Sequence, residues 1–179
     1  MATEDTLRLF FALPCPPEQA AAICSWRDQQ ALGGHPVARE NLHLTLAFLG
    51  AQPAEHLDAL QQLAAGVVCD EFELTLNRLI TLGQGFVCLA PTEAPPALLQ
   101  LAGSLAERLS ALGVVLDSRP YLPHMTLARQ AHTPVQGCAP AFTWPARGFE
   151  LYLSRNGPGG VRYQSLGYWP LLPAHAALT

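Results

Sequence analysis

A chain of 179 residues is long enough for one well-buried core, or for two small lobes sharing a cleft, and short for two independent domains. Half of it is hydrophobic and only 13% is charged, a balance that excludes a disordered chain. A net charge of −4, with ten arginines and no lysine, excludes the broad basic surface that holds long nucleic acid regardless of sequence, but leaves room for arginines around one phosphate.

Leu7, Leu9, Phe11 and Leu13 recur at every second residue up to Pro14, which predicts a strand from Thr6 to Leu13. Pro16 and Pro17 open a helix expected to reach Gln30. Gly33, Gly34 and Pro36 mark a loop. Residues 42–49, LHLTLAFL, alternate again and stop at Gly50. Pro53 precedes a second helix with Leu57, Leu60, Ala64 and Val67 on one face. Phe72, Leu74 and Leu76 alternate with polar positions, giving a strand over 72–82 that turns through Gly83 to Gly85 into another over 86–90. After Pro95 and Pro96, Leu98, Leu101, Ala102, Leu105, Leu109 and Leu112 keep the spacing of a buried helical stripe, with Gly113 at the C-terminal cap. A short strand over 124–129 follows, then a hairpin of 148–154 against 161–168 around Asn156-Gly157-Pro158-Gly159-Gly160. The proline-rich stretches 91–96 and 134–145 are expected to be loops between lobes. This order of elements disfavours a helical bundle and a strictly alternating parallel sheet, so a mixed α+β fold is expected, with residues 1–179 as one unit.

Cys15, Cys24, Cys69, Cys88 and Cys138 are odd in number, scattered and without a C-x-x-C pair, so neither a disulfide framework nor a zinc site is indicated and a reducing cytoplasm is expected. Glu4 and Asp5 stand where a signal peptide would be basic, and Leu9 to Leu13 is too short for its apolar region. No segment approaches the roughly 18 apolar residues that a membrane span needs. A monomer is expected.

One short internal echo stands out: His43-Leu44-Thr45-Leu46-Ala47 and His124-Met125-Thr126-Leu127-Ala128. With six histidines and ten threonines in the chain, composition alone would place about 0.3 His-x-Thr triplets. Residues i and i+2 of a strand share a face, so His43 lies beside Thr45 and His124 beside Thr126, while Leu44, Leu46 and Phe48, and Met125 and Leu127, enter apolar layers. Side by side, the two strands line a cleft with two imidazoles and two hydroxyls. One neutral imidazole can take a proton from water while the other, protonated, gives one to a departing ribose oxygen. The hydroxyls can donate to the non-bridging phosphate oxygens. A lone His-x-Thr is more often a half-buried polar pair, and a shared zinc site is an alternative, but no third ligand stands at the spacing zinc needs. No metal and no cofactor are expected.

With these motifs the sequence resembles the two-histidine phosphoesterases, and within them the RNA 2′,3′-cyclic phosphodiesterases once called 2′-5′ RNA ligases. The matching stretches are RLFFALPCPPE (8–18), ENLHLTLAFLG (40–50), SRPYLPHMTLAR (118–129) and LYLSRNGPGGVRYQSL (151–166). The resemblance implies two pseudo-symmetric α+β lobes, each giving one H-x-T-x strand to a central groove. It implies His43 as proton donor to the leaving 3′ oxygen, His124 as the base that activates water, and Thr45 and Thr126 as phosphate holders. The product would carry a 2′-phosphate, and reversible 2′-5′ ligation is the same chemistry with a ribose hydroxyl in place of water. The partner would be an RNA 3′ end; the alternatives are a small cyclic-phosphate nucleotide of the ADP-ribose 1″,2″-cyclic phosphate type and a groove that binds without turnover.

Arg129 closes the second motif, but five residues from His124 it would face the opposite side of an ideal strand unless a twist or bulge returns it. Arg155, Arg162 and Tyr163 in the last hairpin are further candidates for substrate contacts, arginine offering planar donors to phosphate and tyrosine a stacking face. Surface roles are open for each of the four. Close relatives often carry a tryptophan at the place of Cys88, so the chain departs from the family pattern there.

Overall fold

The computed structural model of the chain describes residues 5–133 and 140–173. In chain order the elements are β1 (Thr6–Pro14), α1 (Pro17–Asp28), β2 (His35–Pro36), β3 (His43–Pro53), α2 (Leu57–Ala65), β4 (Phe72–Leu76), β5 (Arg78–Leu82), β6 (Phe86–Ala90), α3 (Pro96–Ala111), β7 (Met125–Arg129), β8 (Phe142–Ala146), β9 (Gly148–Gly157) and β10 (Gly160–Pro170). They build two antiparallel four-stranded sheets, β10-β9-β1-β3 and β2-β7-β6-β5, and a separate β4-β8 pair. The fold is α+β, with two pseudo-symmetric lobes. One H-x-T motif lies on β3 in the first lobe, and the other begins at the mouth of β7 in the second.

The helices cross between lobes. Helix α3 follows β6 of the second sheet yet packs against β3 of the first, beside α2, whose Gln61 donates to the Leu166 carbonyl of β10 at 2.8 Å. Helix α1 follows β1 yet packs against β8, with Trp26 edge-on to Phe142. Leu98, Leu101, Leu105 and Leu109 of α3 are fully buried, each stabilising by about 1.5–3 kcal/mol relative to exposure. A single apolar cluster runs from Leu9 and Phe11 through these leucines to Leu127, Trp144 and Phe149.

Several boundaries differ from the sequence expectation, those of the strands because pairing is settled by a distant partner. The predicted strand over 72–82 is two strands in different sheets, parted at Asn77, whose Oδ1 accepts from both the Thr92 amide and hydroxyl at 2.8 Å. Period-two alternation continues unbroken through such a change of partner. Of the expected loop 134–145, residues 134–139 lie outside the described residues, whereas Phe142–Ala146 is strand β8. The expected loop at 33–36 ends in an edge strand, with His35 and Pro36 paired to Arg129 and Ala128, as suits a proline that has no amide to give a neighbour. Gly34 allows this docking, since a Cβ there would lie 2.2 Å from the Arg129 carbonyl oxygen. Helix α3 ends before Leu112, which is 46% exposed rather than part of the buried stripe.

Candidate active site

Strand β3 does not stop at Gly50 but bulges there and earlier. Against β1, Ala12 pairs with Thr45 and Phe11 with Ala47, leaving Leu46 as an extra residue; Phe10 then pairs with Phe48 and Leu9 with Gly50, leaving Leu49 extra. Gly50 takes a left-handed conformation, φ +69°, which glycine adopts without steric cost. A bulge shifts the phase of alternation by one. Leu46 and Leu49 therefore both reach the core, while Phe48, expected in the apolar layer with Leu44, is turned to the groove and is 49% exposed. Strand β7 does the same against β6: Cys88 pairs with Thr126 and Val87 with Ala128, leaving Leu127 extra. That bulge brings Arg129 onto the face of His124 and Thr126, and it lines the groove. In both motifs the extra residue is the one after threonine, and residue five after histidine becomes a groove residue.

The two imidazoles are anchored alike. His43 Nδ1 lies 2.7 Å from the Asn41 carbonyl oxygen, and His124 Nδ1 lies 2.7 Å from that of Leu122. A carbonyl only accepts, so in each ring Nδ1 carries a proton and Nε2 is the atom free to exchange one. His43 Nε2 meets Thr45 Oγ1 at 3.0 Å. Burial holds His43 below the ordinary imidazole range, against the pull of the Asn41 carbonyl and with help from the nearby charges of His124 and Arg129. Its ring packs 4.8 Å from Phe10 and edge-on to Tyr163 at 5.1 Å. Tyr121, which precedes β7, donates its hydroxyl to the Thr45 carbonyl at 2.8 Å and so ties one motif strand to the other.

Both histidines, both threonines, Arg129 and Tyr163 line one groove of about 710 Å³. Among the described residues no carboxylate lines it, although the chain as a whole is acidic. The profile of the 2′-5′ RNA ligase superfamily matches residues 15–151, and both motif strands fall inside that span. The chain belongs to this superfamily. It is 39% identical over 169 residues to the RNA 2′,3′-cyclic phosphodiesterase of Escherichia coli, covering 92% of this chain and 96% of that one. It is 31% identical to the protein of the same name from Thermus thermophilus, covering 94% and 92%. The crystal structure of E. coli LigT complexed with 3′-AMP superposes with a TM-score of 0.86 at 38% identity, covering 93% of this chain and 99% of that one.

Within this superfamily fold, the hairpin candidates divide. Tyr163 pairs with Ser154 and both face the groove; Arg162 pairs with Arg155, and neither is among the lining residues. Cys88 is fully buried opposite Thr126, its sulfur 3.6 Å from the threonine hydroxyl, and burial pushes its thiol pKa up. In this chain the position is the buried cross-strand neighbour of Thr126 and offers no ring to the groove. Arg8, Phe10, Asn41, Ser154 and Asn156 also line the groove and were not singled out from sequence. Phe10 carried a signal, since a phenylalanine on the face of β1 opposite Leu9 and Phe11 needs a second layer to cover it. Among the described residues no group of three histidines, cysteines or carboxylates is placed to hold a metal ion, and no helix is long and apolar enough to cross a membrane.

Proposed function

We propose that the chain hydrolyses a terminal RNA 2′,3′-cyclic phosphate to a 2′-phosphate, with His43 and His124 as its acid-base pair. The observation that carries this reading is the paired anchoring of the two imidazoles, each held through Nδ1 so that Nε2 is left to exchange a proton in a groove with no carboxylate among its described lining residues. Water gives its proton to His124 Nε2 as its oxygen bonds to phosphorus; the bond from phosphorus to the 3′ oxygen breaks, and that oxygen takes the proton of His43 Nε2. Thr45, Thr126 and Arg129 donate to the non-bridging oxygens, whose charge grows in the transition state. Neutral His43 accepts from Thr45; once protonated it no longer accepts, so the hydroxyl is released to the phosphate. The names of the relatives and the superfamily match support the substrate class. A ribose hydroxyl in the place of water would give 2′-5′ ligation by the same groups.

The test is product analysis on a short RNA ending in a 2′,3′-cyclic phosphate. The expected product is a 2′-phosphate with a free 3′ hydroxyl; a 3′-phosphate, or no product, would overturn the assignment.

A further inference from the structure

We propose that Arg8 marks a second phosphate subsite, which takes the phosphate on the 5′ oxygen of the nucleotide whose cyclic phosphate is opened. The inference rests on the reading above for which phosphate sits between the histidines. Arg8 lies on the groove face of β1, four positions before Ala12, the partner of Thr45. At the rise of a strand that is about 14 Å of backbone, so Arg8 belongs to a different part of the groove from the motif hydroxyls. Its guanidinium lies over the Phe48 ring, 5.1 Å from the centroid, and has no hydrogen-bond or ion-pair partner among the described residues. A ring beneath an arginine holds the planar donors in place without neutralising them.

Ser154 and Asn156 of β9 line the same groove. An RNA that ends in a cyclic phosphate leaves the site in one direction only, and its next phosphate is the one on that 5′ oxygen. With Arg8 so placed the preferred substrate carries two phosphates, as an oligonucleotide does and a cyclic mononucleotide with a free 5′ hydroxyl does not.

Calorimetric binding of adenosine 2′-phosphate and adenosine 2′,5′-bisphosphate tests this without requiring turnover. The wild-type chain should bind the bisphosphate about tenfold more tightly, the order expected of one partly exposed charge-assisted contact. Arg8→Ala should remove that preference and Arg8→Lys restore part of it, while Arg155→Ala, outside the groove lining, keeps it. Equal binding by the wild type, or a preference that survives in Arg8→Ala, would overturn the subsite. Loss of cyclic-phosphate hydrolysis as such would count against the proposed reaction and leave this binding result standing.

Discussion

In β3 the imidazole of His43 is walled by Phe10 and Tyr163 and meets a threonine hydroxyl, whereas beside β7 the imidazole of His124 keeps only its carbonyl bond and has no ring contact among the described residues. The residue each bulge turns into the groove also differs, Phe48 in the first strand and Arg129 in the second. The backbone plan is duplicated and its surroundings are not. If the two imidazoles are the donor and acceptor proposed above, identical groups cannot divide those roles by themselves, and the asymmetry has to come from what is packed around them.

The largest test of this comparison is substitution of each histidine by alanine. Each should lose about 10²–10⁴-fold in turnover, because positioned proton transfer contributes that much, and the double variant should lose less than the product of the two. Stability should separate them: His43→Ala gives up ring packing and two hydrogen bonds and should melt lower, while His124→Ala gives up one. Equal melting temperatures would mean that the wall around His43 contributes nothing to folding.

Next come the two bulge-directed residues. Arg129→Ala should lower kcat by about 10²–10³-fold, the scale of one donor to a developing charge. Phe48→Ala should act on KM, by an amount matching about 1–3 kcal/mol if a base stacks on that ring. A kcat effect at Phe48 and a KM effect at Arg129 would reverse the roles assigned to the strands.

A smaller and more pointed test is the pH profile. Burial lowers the pKa of His43 in the empty groove, and a bound phosphate, being negative, raises it again. If His43 is the acid, its deprotonation sets the basic limb of the bell, so that limb should lie at higher pH for kcat than for kcat/KM, with both limbs belonging to the coupled pair. A limb that stays or moves down would shift the donor role away from His43. The smallest expected effect is that of EDTA, which should leave the rate unchanged, since the groove offers proton transfer and hydrogen bonds without a ligand set; loss of activity restored by zinc would break the proposed mechanism.

The motif strands, their threonines and the helix with the leucine stripe are legible in the sequence because each depends on local periodicity alone. The bulges are not, because an extra residue is defined only against its partner strand, and without them simple alternation puts Phe48 on the wrong face. The same blindness joins β4 to β5. The hairpin carries a signal of its own: Arg162 and Tyr163 are adjacent on one strand and point to opposite sides, so both cannot face the groove.

The crossing of the helices bears on how the groove meets its substrate. Helix α3 is tethered to one four-stranded sheet and buried on the other, while α1 follows the first sheet and packs on β8 of the separate pair. Swinging the lobes apart would draw α3 off β3 and bring its leucines into water, a cost that opposes any change in the spacing of the two histidines. A cleft held in this way is expected to meet its substrate already formed, with the cost of ordering the two imidazoles met in folding and not at binding.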